Sequence, residues 1–115
     1  LASKLPDLLP AAPDSSLLHG DLWSGNMLVD SDKAAGFIDP AISYGDREMD
    51  LAFMMLMGGL DSCFLEAYHA HYPLEPGFQE ERAALYQLWP LLVHVRLFAG
   101  GYVNSVSAVL DRFGV

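Results

Sequence analysis

His19-Gly20-Asp21-Leu22-Trp23-Ser24-Gly25-Asn26, with Asp39 closing the apolar run that follows, is the stretch on which the reading of this chain turns. It sets an Asp, an Asn five residues on and a second Asp within one short span. Phosphoryl transfer to an alcohol asks for such a set, because the protein supplies in-line positioning and charge neutralisation rather than covalent chemistry. Asp21 suits a base that orients an attacking hydroxyl and takes its proton. Asn26 offers an amide oxygen and Asp39 a carboxylate, both hard donors suited to Mg²⁺ on nucleotide phosphates. Gly20 and Gly25 permit the backbone turns of a tight loop.

Working outward, Met27-Leu28-Val29-Asp30 and Ala35-Gly36-Phe37-Ile38 flank the polar Ser31-Asp32-Lys33, a hairpin pattern. A hairpin centred between Asp32 and Lys33 sets Asn26 opposite Asp39, where cross-strand Cβ atoms lie roughly 5 Å apart. Leu28 and Ile38, beside the two ligands, are expected in the core and as the floor under an adenine. Asp50 opens the apolar run Leu51-Ala52-Phe53-Met54-Met55-Leu56-Met57 and is expected as its N-cap, tying down the loop. His19 reads as a hydrogen-bonding brace rather than a proton carrier. Asp46 stays open between loop solvation and contact with substrate or metal.

These residues resemble the C-terminal lobe of the protein-kinase-like small-molecule kinases, and more narrowly the fructosamine kinase (ketosamine-3-kinase) family. The narrower likeness rests on Leu22-Trp23-Ser24-Gly25 and on Asp39-Pro40-Ala41 followed by Tyr44-Gly45-Asp46-Arg47-Glu48-Met49-Asp50-Leu51-Ala52. It also rests on the late His94-Val95-Arg96-Leu97-Phe98-Ala99-Gly100-Gly101-Tyr102. It covers nearly all of these residues but only the rear portion of a complete member. The resemblance implies a mainly α fold with a short β-hairpin (α+β). That is the C-terminal lobe of a protein-kinase-like fold, one partial domain over residues 1–115 with the N-terminal lobe absent.

The same resemblance implies ATP as co-substrate, Mg²⁺, and phosphorylation of the 3-hydroxyl of a ketosamine, a glycated amine. The product is unstable, so glycation is reversed. No Gly-rich loop followed by a strand Lys occurs in these residues, so the chain alone is expected to be inactive. Aminoglycoside, choline or homoserine kinases are the alternative, and a non-catalytic interaction module derived from such a kinase is another. Trp23, beside the base, is expected to stack on the acceptor, against a packing role. His94 is a substrate-contact candidate weighed against a satisfied helix histidine.

Composition narrows the partners. Fifteen acids against six Lys and Arg give a net charge of −9, which disfavours nucleic acid and anionic membrane surfaces. The longest apolar stretch, residues 51–60, is too short to span a bilayer. Cys63 stands alone and is expected to be buried and inert, in a reducing cytoplasm. His69 and His71 point to different helix faces, which rejects them as a metal pair. Met49, Met54, Met55 and Met57 are expected to fill core space. Apolar surface left by an absent lobe favours self-association. Helices are expected over residues 50–57 and 61–72, from about 79 to a kink or new start at Pro90, and over 103–113. Residues 1–9 read as a helix tail interrupted by Pro6, Leu17-Leu18 as a short strand, and 40–48 as irregular.

Overall fold

The computed structural model describes residues 1–115, except the side chains of Ala34 and Ala35. Two small antiparallel sheets come before a helical body, so the α+β expectation holds. A 3-10 turn at Ala2–Lys4 leads into α1 (Leu5–Leu8). Pro6 sits in the first turn of α1, where its missing N–H has no helical partner to lose, so it starts the helix and does not interrupt one.

Strand β1 (Ser15–Leu18) pairs antiparallel with β4 (Ser43–Asp46), from Ser15 opposite Asp46 to Leu18 opposite Ser43. The stretch expected to be irregular therefore holds a strand and the start of a helix. Between these strands lies the hairpin of β2 (Met27–Asp30) and β3 (Lys33–Phe37). Its turn is tighter than the symmetric reading. Ser31 and Asp32 both take positive φ (48° and 68°), and Asp30 pairs with Lys33. Two left-handed central residues match the twist of the flanking strands, and Asp tolerates that region. The register then shifts between Leu28 and Val29, and Met27 ends opposite Phe37.

Helix α2 (Glu48–Met57) stops at Gly58 and Gly59, whose φ values of 99° and 115° favour glycine. α3 (Ser62–His71) starts where Asp61 accepts the Phe64 amide at 2.7 Å. His69 Nδ1 accepts the Leu74 amide (3.0 Å) and His71 Nδ1 donates to the Ala67 carbonyl (2.8 Å), so one nitrogen of each ring is engaged at the end of α3. A π-turn at Phe78–Arg82 enters α4 (Ala83–Phe98), which runs through Pro90 as one helix. Ala99, Gly100 and Gly101 separate it from α5 (Tyr102–Arg112).

The core lies where α2, α3 and the start of α4 meet: Leu51, Ala52, Leu65, Phe78 and Ala83 are buried together. Burying a side chain such as Leu51 or Phe78 contributes about 1.5–3 kcal/mol. Met54 is fully buried but Met55 is 37% exposed, so the methionines fill the core only in part. Cys63, in the first turn of α3, is exposed, contrary to the expected burial; it sits on the outer side of that helix, two residues before the core-facing Leu65.

One ion pair lies inside this core. Arg82 Nε and Nη2 reach Glu48 Oε2 and Oε1 at 2.7 and 2.8 Å, and the guanidinium also donates to the Pro76 and Glu75 carbonyls. Both residues are buried. The hydrogen bond that Arg82 donates to Glu48, with the charge of that carboxylate, raises the Arg82 pKa against the opposing effect of burial. Among the described residues no helix is long and apolar enough to cross a membrane.

Candidate functional site

Buried Leu18 at the end of β1 delivers His19 to the loop. At Gly20, φ is +81° and an added Cβ would lie 2.0 Å from the Ala41 carbonyl oxygen, so glycine is required twice over. Asp50 fixes this turn: its Oδ2 accepts the His19 amide at 2.7 Å and its Oδ1 the Gly20 amide at 2.9 Å. The expected N-cap role is thereby corrected. α2 begins two residues earlier, at Glu48, and Asp50 caps amides of the loop rather than of its own helix. Asp46 starts the helix instead, accepting the Glu48 amide at 2.9 Å.

His19 braces both sides. The Asp21 amide donates to Nδ1 (3.2 Å), which leaves the proton on Nε2, and Nε2 donates to the Ile38 carbonyl (2.9 Å). The His19 carbonyl accepts the Ala41 amide at 2.7 Å. Further on, the Ser24 amide donates to the Gly58 carbonyl (3.0 Å), so the loop is tied to both ends of α2. Trp23 folds its ring over Gly25, where an added Cβ would meet the indole at 2.4 Å. That clash is the reason for Gly25; Trp23 itself remains 36% exposed.

Asn26 is buried, and its Nδ2 donates to the Asp21 carbonyl (2.9 Å) and to Asp21 Oδ2 (3.0 Å). Its Oδ1 accepts no hydrogen bond among the described residues. One Asp21 oxygen is thus held in place, while the other is unengaged, and the half-buried Asp21 lines a cavity of about 440 Å³. That geometry suits a carboxylate that orients a hydroxyl and accepts its proton.

Asp39 does not stand opposite Asn26. The Ile38 amide donates to the Asn26 carbonyl at 2.9 Å, so Ile38 takes that position and Asp39 follows in the left-handed region (φ 52°). The two-residue turn and the shift at Leu28/Val29 account for the one-residue displacement. Asp39 is exposed, and its carboxylate accepts no hydrogen bond among the described residues. Free hard oxygens on Asn26 and Asp39 fit Mg²⁺, which binds through one or two protein ligands plus water and phosphate. Among the described residues no group of three or more His, Cys, Asp or Glu side chains forms a metal cage.

Leu28 and Ile38 are 50% and 40% exposed, so they belong to the open face of the hairpin and not to the core. His94 shares the Asp21 cavity. Its Nδ1 donates to the Pro90 carbonyl at 2.7 Å, leaving a lone pair on Nε2, and its ring packs on Tyr102 and Phe98 with centroids 4.9 and 5.7 Å away. His94 is both a satisfied helix histidine and part of the cavity wall.

Two further wall residues escaped the sequence reading, Tyr86 and Trp89. The Tyr86 hydroxyl donates to Asp46 Oδ2 at 2.6 Å, and burial, then this bond, pushes its pKa well above the usual phenol value. Each Asp46 oxygen thus has a partner within the fold. A signal for this wall existed in the recurrence of Tyr86, Trp89, Pro90 and Val93 at helical spacing. A larger open groove, about 820 Å³, lies between α3 and residues 74–80 and holds none of the loop residues. Its lining has no set matched to phosphoryl transfer.

The family model for fructosamine kinase matches residues 3–114. A probable ketoamine kinase of Lactiplantibacillus plantarum is 50% identical over 98 residues, covering 85% of this chain and 35% of that protein. The ketosamine-3-kinase of Mus musculus is 46% identical over 108 residues, covering 91% and 34%. A solved structure from Thermobifida fusca that carries the fructosamine-3-kinase name superposes with a TM-score of 0.76 at 38% identity, over 95% of this chain and 39% of that one. The chain spans about a third of the length of the curated relatives it matches.

Proposed function

The chain belongs to the fructosamine kinase family, and from that premise we propose that it is the C-terminal, catalytic-loop lobe of an ATP-dependent kinase acting on the 3-hydroxyl of ketosamines. The observation that carries this reading is the Asp21 carboxylate, held through one oxygen by Asn26 and lining a cavity with the other unengaged. The acceptor hydroxyl donates a hydrogen bond to that free oxygen, and its proton passes to Asp21 as the oxygen attacks the γ-phosphorus of ATP, whose bond to the β–γ bridging oxygen breaks to release ADP. Asn26 and Asp39 would hold Mg²⁺, which supplies charge neutralisation at the phosphates. The exposed apolar faces of Leu28 and Ile38 offer a floor for the adenine. His94 contributes an acceptor-side contact, and His19 and Asp50 keep the loop in shape.

A second lobe, supplying a phosphate-covering loop and a Lys, completes the site in this reading. The 115-residue polypeptide alone is then expected to show negligible turnover, because positioning accounts for several powers of ten in such reactions. Robust phosphorylation of a ketosamine by that polypeptide would sink this part of the proposal. Apolar surface that the second lobe would cover is the proposed cause of any self-association, and the cytoplasm the proposed setting.

The acceptor class is tested by giving the complete kinase ATP with a ketosamine, an aminoglycoside, choline or homoserine. The ketosamine is expected to show the highest kcat/KM; a preference for any of the others overturns the assignment. In the same assay Trp23→Ala is expected to raise KM for the ketosamine by up to about thirtyfold, the scale of a lost cation–π contact, with KM for ATP unmoved. A lowered Tm with unchanged ketosamine KM would make Trp23 a packing residue for Gly25 alone.

A further inference from the structure

We propose that Trp89 is the side chain on which the acceptor's amine-borne substituent rests, which makes one stripe of α4 the specificity wall of the site. The inference depends on the kinase reading above. Its starting point is that Trp89 is 69% exposed and yet lines the cavity that holds Asp21. Leu92, Leu97 and Phe98 on the same helix are also bare, but none of them lines that cavity. Spacing explains the difference. Tyr86 stands three or four residues from Trp89 and Pro90, and these stand three or four from Val93, so the four share one side of the helix, whereas Leu92 falls off it and Leu97 lies beyond His94, the last residue of α4 in the lining.

The chemistry around Trp89 selects the ligand group. Among the described residues no Lys or Arg lines the cavity, while Asp21 and Asp50 do, and Asp50 is already engaged by two loop amides. Proline carries no N–H, so at Pro90 the Tyr86 carbonyl loses the donor it would have four residues on. Both residues line this cavity. A carboxylate and an indole together favour a protonated amine whose carbon substituent lies against the ring. The same lining disfavours a substituent that brings its own negative charge. Trp23 lies outside the lining, so the effects of the two tryptophans are separable.

The test uses the complete kinase and a set of ketosamines built on one sugar, with the amine carrying hydrogen, a methyl, a benzyl or a carboxymethyl group. The wild-type enzyme is expected to prefer benzyl to unsubstituted amine and to disfavour carboxymethyl. Trp89→Ala should shrink the benzyl-over-unsubstituted ratio of kcat/KM by about five- to thirtyfold, the range of a contact with an indole face. The change should fall on KM more than on kcat, and Trp89→Phe should restore most of it. A ratio unaltered by Trp89→Ala overturns the proposal. So does a variant that loses Tm and activity equally toward all four compounds, since Trp89 would then be only a packing residue. If the wild-type enzyme phosphorylates no ketosamine, the kinase reading falls and this inference with it, a result distinct from an active enzyme indifferent to Trp89.

Discussion

Asp21→Asn in the complete kinase is expected to lower kcat by about 10²–10⁴-fold, the usual contribution of a positioned base, while affinity for Mg-ATP stays close to that of the wild type. The substitution is mild in shape. The Asn26 Nδ2 group, which donates to Asp21 Oδ2 at 3.0 Å, can donate equally to a side-chain amide oxygen, so the loop keeps its geometry. What disappears is the carboxylate that takes the proton. Asp39→Ala should also stop turnover, by a different route. It removes an exposed anionic oxygen that no described residue engages, so nucleotide affinity falls together with kcat. Asn26→Ala should resemble Asp39→Ala more weakly, with an added loss from the freed Asp21 carboxylate. Titration of Mg-ATP against each variant separates the roles, and equal affinities for Asp21→Asn and Asp39→Ala would contradict them.

The second large effect concerns stability. Glu48→Ala leaves the Arg82 guanidinium buried without its counter-charge, which costs about 3–5 kcal/mol. Against the roughly 5–15 kcal/mol that holds a typical domain together, this is a large share. Glu48→Gln keeps the shape and one hydrogen bond and should cost less. Replacing both partners by apolar residues of similar size, Glu48→Leu with Arg82→Met, should recover most of the loss, because no unpaired charge remains. Urea unfolding of the three variants decides the matter. A loss under about 1 kcal/mol for Glu48→Ala would place the pair among exposed ion pairs of little consequence. Since Glu48 opens the helix that carries Asp50, activity should decline along with stability.

What could be read in the sequence was local. The loop announced its chemistry through residue types at fixed spacing. Gly58-Gly59, Asp61, Pro73 and Gly100-Gly101 marked helix ends because caps and breakers act within a few residues. The hairpin was legible as a hairpin. Its register was not, since the left-handed pair Ser31-Asp32 and the shift at Leu28 are choices among turns that the same residues allow. Longer-range partnerships were hidden for a related reason. Asp50 reaches His19 and Glu48 reaches Arg82 across more than thirty residues, and no periodicity encodes such a meeting. Pro90 was ambiguous because a proline can break a helix or be carried by packing around it, and here α4 continues against α2 and α5. The Asp46–Tyr86 bond was invisible on the same grounds.

The two moorings of the loop on α2, at Asp50 and at Gly58, lie eight residues apart and so about 12 Å along the helix axis. The helix is therefore a ruler. One inserted residue between them would advance the far mooring by about 1.5 Å and swing it by roughly 100°, which a loop this short cannot absorb. Length in this segment is consequently as binding a constraint as the identity of Asp21, whatever side chains fill it. Gains and losses of residues in the lineage belong elsewhere, for instance in the turn after Tyr72, where no part of the loop is anchored.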